Sequence, residues 1–460
     1  MDRFRTLAPE PAPPRPAPTL GMKFSELMGA LSHALDLTEG QPRGHCIRVC
    51  WIGTHIGKKI GLGVPALREL YYTLLLKDLG CSSNAARICE LYLTDDLEFK
   101  RDFKTVGDGL PDVLQFVFSH TGLKAGLAGR LRSVARILRD GVQIADELIK
   151  TRCTRGADIA RQLRFGDGVA MGIASLDEHW SGNGRPHGLA GHAIPLYARI
   201  ALLAQIVDVF HTLGGRAAAL RELHQRAGTW LDPELVGTMD EVAKDERFWA
   251  VLASPEVEAS VFAMEPAADA VTLDDDYLDD IAAAFGQIVD SKSPFTSGHS
   301  ARVADLVDGI AERLGLAPAR RRWLRRGALL HDVGKLGVSN SILDKPGPLD
   351  EDEWACVRQH AVHTEAILSR IGAFSELARV AGAHHERLDG TGYPRALHGA
   401  QISLETRIIT TADIFDAISA DRPYRGAVPV PETLAIMAKT VGTAIDPLCF
   451  DALDRMVGGG

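Results

Sequence analysis

His331-Asp332-Val333-Gly334-Lys335 and, further along, His384-His385-Glu386-Arg387-Leu388-Asp389-Gly390-Thr391-Gly392-Tyr393-Pro394 are the two stretches on which the reading of this chain turns. Each joins metal-binding side chains to small residues that shape a turn. Around them stand His299, His360 and Asp413. Imidazole nitrogen and carboxylate oxygen together suit Fe, Mn or Zn, whereas Mg and Ca prefer oxygen alone. Seven such side chains exceed what one ion takes, so two ions bridged by a carboxylate are the economical arrangement. His331-Asp332 can set a nitrogen on one ion and oxygens between both. His384-His385 offers adjacent donors after the apolar run Leu377–Ala383. Any one of these histidines alone is more often an ordinary core or surface residue; their joint occurrence is what carries the reading.

The residues around these stretches predict helices. Apolar side chains recur at spacings of three and four over Phe24–Leu37, Ile47–Ile60, Ser133–Ile149, Tyr197–Thr212, Tyr277–Val289, Ala301–Leu314 and Thr406–Ile418. Alternating strand patterns are scarce. Gly and Pro clusters at Gly61–Pro65, Gly182–Pro186, Pro346–Pro348 and Gly390–Pro394 separate the helices. The expectation is an all-α fold whose loops hold the unusual residues.

An internal repeat divides the chain. His45-Cys46-Ile47-Arg48-Val49 matches His299-Ser300-Ala301-Arg302-Val303, and Lys77-Asp78-Leu79-Gly80 matches His331-Asp332-Val333-Gly334, both 254 positions apart. A second block, Glu178–Ile200, matches Glu386–Ile408 at an offset of 208. Two blocks in the same order predict two copies of one helical domain, the first with about 46 extra residues in its middle. The organisation read from this is a Pro-rich extension (1–20), a first copy (21–225), a partly helical connection (226–275) and a second copy (276–456). Proline at the density of the extension cannot build a core, and disorder is expected there.

The second copy resembles the HD-GYP domains, whose pattern reads HS…HDxGK…H…HHExxDGxGYP…D…DRPYR. Every element is present: His299-Ser300, His331–Lys335, His360, His384–Pro394, Asp413 and Asp421–Arg425. Lys345–Leu349 is also similar to the family. The resemblance implies an HD-type helical core with a metal centre between its helices. It makes His299, His331, Asp332, His360, His384, His385 and Asp413 the ligands, with Asp332 bridging. Some members bind a third ion through a glutamate four residues before the first histidine. Here that position is Phe295, so the expectation is two divalent transition-metal ions, Fe or Mn first.

Such a pair depresses the pKa of a water held between the ions and delivers hydroxide to phosphorus. The resemblance gives Lys335 a catalytic and phosphate-binding role beside Asp332, and places Tyr393, Arg422 and Arg425 near the substrate. Arg422 and Arg425 read equally well as caps of the preceding helix end. In the family the Gly390–Pro394 loop is tied to cyclic di-GMP hydrolysis and to contacts with cyclase domains. The implied activity is a cyclic di-GMP phosphodiesterase, with a diguanylate cyclase domain or another signalling protein as partner. The alternatives are an HD phosphohydrolase acting on another nucleotide and a non-catalytic nucleotide sensor.

The first copy departs from the ligand pattern. His45 and Asp78 are kept, but Lys77, Leu176, Asp177 and Gln205 stand for His331, His384, His385 and Asp413, and Arg185 stands for Tyr393. An inactive HD-like copy is expected, kept for packing, sensing or dimerisation and packed against the second as a pseudo-dimer.

Composition excludes other classes. A net charge of −9 gives no basic footprint for DNA or RNA. No apolar run reaches the roughly 18–20 residues of a membrane span, and the Pro-rich start does not read as a signal peptide. Seven cysteines without a CxxC predict reduced thiols in a cytoplasm. Cys46 and Cys50, one helical turn apart, read as buried side chains rather than half a zinc site. The basic run Ala319–Arg326 reads as a solvated helix face, or else as an attractor for an anionic substrate. Self-association into a homodimer is a further expectation.

Overall fold

Regular structure among the described residues is entirely helical, apart from isolated bridge pairs such as Ala227–Leu231 and Val441–Ile445. The computed structural model describes residues 24–107, 109–123, 126–267, 273–421 and 426–458. The Pro-rich extension, Arg422 and Arg425 lie outside them.

The two halves open on the same run of three helices. Helices Phe24–Thr38, His45–Lys59 and Val64–Leu76 correspond in order to Asp275–Asp290, His299–Arg313 and Pro318–Leu330. In both copies a carboxylate from the first helix caps the start of the second. Asp36 accepts from the backbone N–H of Gly44 and Cys46, and Asp290 from the N–H and hydroxyl of Ser300. Gly44 and Gly298 precede these helices at φ of 84° and 69°, a left-handed turn open to glycine at no steric cost. The sharp entry makes His45 and His299 the first residues of their helices and buries both.

The first copy extends beyond residue 225, where the sequence reading ended it. Asp232 caps helix Pro233–Val242 and meets Arg199 at 2.5 Å; Asp446 caps Pro447–Val457 and meets Arg407 at 2.9 Å. The start of the supposed connection is therefore the closing helix of the first copy. Helices Glu246–Leu252 and Val257–Ala263 follow, burying Phe248, Trp249, Leu252 and Val261 in the same core. Short amphipathic segments of this kind read as a linker in sequence because no single one shows a long helical period.

The extra residues of the first copy form helices Ala85–Tyr92, Asp96–Phe103 and Leu110–His120, with part of the long helix Leu127–Gln162. They enclose a small separate cluster of Ile88, Phe99 and Phe116. Helix Leu196–Gln225 is long and apolar enough by length and composition to cross a membrane, but 61% of its apolar window is buried in the protein. Its backbone also leaves helical geometry at Gly214 and Gly215.

One hydrophobic core runs through both copies. Phe24 and Tyr277 meet at a ring separation of 5.5 Å, and the Tyr277 hydroxyl donates to the Leu163 carbonyl at 2.8 Å. Helix Phe24–Thr38 packs on the turn Val333–Gly337, directly after the His331-Asp332 pair of the second copy. The first copy thus packs against the turn that follows the candidate ligands His331 and Asp332.

His33 adds an ionic contact at this junction. It lies 3.2 Å from Glu258 and 3.6 Å from Asp36, and Glu258 also pairs with Arg370 of the second copy. Burial disfavours the imidazolium, but the two carboxylates outweigh it and raise the His33 pKa from 6.5 to about 9. A raised folded-state pKa gives stability that is full below pH 6.5 and lost as pH climbs through 9. Thermal melts should therefore show a falling midpoint over that window, and His33→Gln should flatten this component of the profile.

Candidate metal centre

The predicted ligands are delivered by five parts of the second copy. His299 opens its helix, His331 closes Pro318–Leu330, and Asp332 begins the turn that follows. His360 sits in Glu351–Leu368, His384 and His385 follow Ser375–Ala381, and Asp413 lies in Leu404–Ser419. Gly334 lets this packing close, since a Cβ there would fall 2.0 Å from the His360 carbonyl oxygen.

The five histidines gather around the carboxylate of Asp332, which is 1% exposed, with Asp413 beside His299 and His331. Its Oδ2 lies 3.3 Å from His331 Nε2 and 3.5 Å from His299 Nε2. Its Oδ1 lies 3.5 Å from His360 Nε2 and 3.6 Å from His384 Nε2. Asp413 Oδ1 is 3.4 Å from His299 Nε2 and 3.8 Å from His331 Nε2. Two donor sets result, His299-His331-Asp332 with Asp413 beside it, and Asp332-His360-His384-His385. They share Asp332.

The outer nitrogens decide which way the rings face. Nδ1 of His331, His360 and His384 meets the carbonyl oxygens of Ala328, Val357 and Ala381 at 2.5–2.6 Å, and His299 Nδ1 meets Asp416 Oδ2 at 2.7 Å. A proton held on Nδ1 leaves the Nε2 lone pair directed inward. The inward His299 Nε2, His331 Nε2 and Asp332 Oδ1 are buried without a hydrogen-bond partner. Lone pairs aimed at a common space are what a cation satisfies and a packed core does not. The residues fit divalent metal.

Charge agrees with this geometry. Burial disfavours ionised Asp332 and Asp413, yet His331 holds both well below the usual carboxylate range; the same two acids outweigh burial to raise His331 to about 10, so a metal taken by its Nε2 must displace a proton. Burial and neighbouring positive charge push His360 down to about 3 and His385 to about 4, keeping them neutral and able to donate. Lys335, part-buried, places its ammonium 2.5 Å from Asp332 Oδ2. Tyr393 stacks near His385 at a ring separation of 4.8 Å, so the Gly390–Pro394 loop borders the second donor set.

Several supporting residues escaped the sequence reading. Asp416 grips His299 and is itself held by Arg302 at 2.6 Å. Asp208, His45 and Arg48 repeat this arrangement in the first copy, at 2.6 Å for both contacts. The repeat offset was the signal that could have found them. Glu386 anchors the loop by accepting from the N–H groups of Arg395 and Leu397, as Glu178 does from His187 and Leu189.

The equivalent space in the first copy holds the protein's own cations. Lys77 Nζ contacts Asp78, lies 3.1 Å from His45 Nε2 and donates to Gln205 at 2.9 Å. Lys104, from the extra segment, pairs with Glu39 at 2.8 Å. Arg152, which takes the place of His360, pairs with Asp177. Glu39, Asp78 and Cys81 are close enough to share an ion, but the two ammonium groups already occupy Glu39 and Asp78.

A family model described as an HD domain matches residues 135–235 and 284–448, in both copies. The chain belongs to the HD domain family. It is 57% identical over 432 residues to the 3'3'-cGAMP-specific phosphodiesterase 3 of Vibrio cholerae serotype O1, with 94% of each chain covered. The crystal structure of a cyclic GMP-AMP specific phosphodiesterase from V. cholerae, V-cGAP3, matches with a TM-score of 0.65 and 51% identity, covering 94% of this chain and 97% of that one. The cyclic di-GMP phosphodiesterase response regulator RpfG of Xanthomonas campestris pv. campestris is 40% identical over 162 residues, 35% of this chain and 43% of that one. This HD-GYP protein is a phosphodiesterase, and HD-domain phosphohydrolases bind divalent metals.

Loss of an outer partner of a ligating histidine typically costs about 10–100-fold in metal affinity. Asp416→Asn should weaken metal binding by that order while leaving helix content by circular dichroism intact.

Proposed function

We propose that the second copy hydrolyses a 3',5'-linked cyclic dinucleotide at a centre of two divalent transition-metal ions, iron or manganese. The observation that carries this reading is the division of Asp332, whose two oxygens face separate sets of nitrogen donors. His299, His331 and Asp413 would hold one ion, His360, His384 and His385 the other, and Asp332 both. When bound, such a pair supplies an activated water and charge for the phosphoryl oxygens.

The protein's own groups do the rest. Lys335 neutralises Asp332 and can turn its ammonium to a phosphate oxygen. Tyr393 keeps its phenol protonated, because burial and nearby carboxylates raise its pKa, and can donate to the substrate. Neutral His360, His384 and His385 bind metal without first releasing protons. Arg422 and Arg425, proposed for the second phosphate or a guanine face, lie outside the described residues.

Among cyclic dinucleotides the favoured substrate is 3'3'-cGAMP. The relative that aligns along both copies is specific for it, whereas RpfG, named for cyclic di-GMP, aligns over only 35% of the chain. Cyclic di-GMP, which the loop motif alone would select, is the second reading. Turnover of both by the purified protein separates them: kcat/KM should be at least tenfold higher for 3'3'-cGAMP. Equal or reversed preference returns the assignment to cyclic di-GMP. His331→Ala and Asp332→Ala should each lose metal and abolish turnover of either substrate; a fully loaded, active Asp332→Ala protein would sink the two-metal reading.

The first copy is proposed to be catalytically inactive and free of metal, its buried carboxylates neutralised by Lys77, Lys104 and Arg152. In the intact chain, metal analysis should give two ions, and the His331→Ala/His384→Ala double variant should give none. Ions persisting in that variant would place a metal in the first copy.

A further inference from the structure

Away from the metal centre, one buried carboxylate joins the two copies. Asp96, in the extra segment of the first copy, is fully buried. Its Oδ1 accepts from Ser339 Oγ at 3.0 Å and from the Asn340 N–H at 2.8 Å, with Cys89 Sγ at 3.5 Å. Its Oδ2 lies between two buried ammonium groups, 3.4 Å from Lys292 and 3.8 Å from Lys100. Three of these partners belong to the second copy.

The two lysines do parallel work. Lys100 donates to the carbonyl oxygens of Thr38 at 3.1 Å and Cys81 at 2.8 Å, tying the end of a first helix to the turn after Asp78. Lys292 stands at the repeat position of Thr38. Its ammonium donates to the Leu336 carbonyl at 3.3 Å, and its own carbonyl accepts from Asn340 Nδ2 at 2.7 Å. Asp344 completes the network, accepting from Asn340 and from Ser293.

The position of Lys292 gives this network its consequence. The residue opens the segment 292–298 that delivers His299. Leu336 lies in the turn that begins at Asp332 and carries Lys335. The Lys292–Leu336 bond therefore fastens together the two segments that bring His299 and Asp332 to one donor set. An ammonium without exposure to water holds such a place only with a counter-charge. Within the second copy the nearby acid is Asp344, whose oxygens are taken by Ser293 and Asn340. Asp96 is the carboxylate in ion-pair contact.

We propose that Asp96 is a positioning residue for the metal centre, a charge lent by the first copy that seats Lys292 and so sets the spacing of His299 and Asp332. The proposal rests on the two-metal reading above. It gives the first copy a part in catalysis that needs no metal or nucleotide of its own.

The test is a double-mutant cycle on the full-length chain stripped of metal and titrated with manganese. Asp96→Asn keeps the size and an acceptor for Asn340 but leaves two ammonium groups without their counter-ion. Manganese affinity and kcat should each fall by about tenfold or more, with KM for the cyclic dinucleotide unchanged. In a Lys292→Met background the same Asp96→Asn change should cause no further loss, because Asp96 acts through Lys292. Equal losses in both backgrounds, or no loss in either, would overturn the proposal. If the Asp96→Asn chain does not fold, Lys292→Met and Lys292→Met/Asp96→Asn still decide: equal manganese affinity supports the proposal and a further drop refutes it. A wild-type protein that binds no manganese would instead fail the two-metal reading, a result distinct from unaltered binding in the variants.

Discussion

Carboxylates taken out of water must be met by cations, and that constraint shapes both halves of this protein. In the second copy Asp332 and Asp413 sit among inward-facing imidazole nitrogens. In the first, Asp78 and Glu39 meet Lys77 and Lys104. The helices that frame the two spaces are the same, and so is the His-Asp-Arg buttress at their edge. What differs is the source of positive charge. In the first copy ammonium groups of the chain take up the carboxylates; in the second Lys335 meets Asp332 from one side, and the imidazole nitrogens face the space proposed for metal.

The duplicated architecture then acquires a division of labour in physical terms. The first copy supplies packing, core and counter-charge: helix Phe24–Thr38 packs on the turn after Asp332, and Asp96 reaches Lys292. Its buried carboxylates Glu39 and Asp78 are met by Lys104 and Lys77 of the chain itself. The core is continuous through both copies.

Much of the candidate site was legible in the chain itself. His331-Asp332 and His384-His385 are rare combinations, and with His299, His360 and Asp413 they carry the resemblance to HD-GYP domains that implies the ligand set. The substituted first copy was legible too, through Lys77, Leu176 and Gln205. Asp416 and Arg302 were not singled out, because a single acid and a single arginine on helical faces look like surface residues. The boundary near residue 225 was misplaced because helix Pro233–Val242 is short and its partner Arg199 is remote in sequence.

The sequence by itself determined helix periodicity, the duplication and the candidate donors, since these are local patterns, self-comparisons or a family motif. Only the tertiary structure decided how the donors divide. That Asp332 turns one oxygen to His299 and His331 and the other to His360 and His384 depends on four helices and a turn meeting at one point. The same holds for Lys77, which in sequence is merely a missing histidine and in space is a cation seated where an ion would be. It holds also for Asp96, whose partners lie in another copy of the fold. Long-range electrostatic pairing leaves no period in a sequence, because nothing local selects it; it appears only when the chain has closed around the charges.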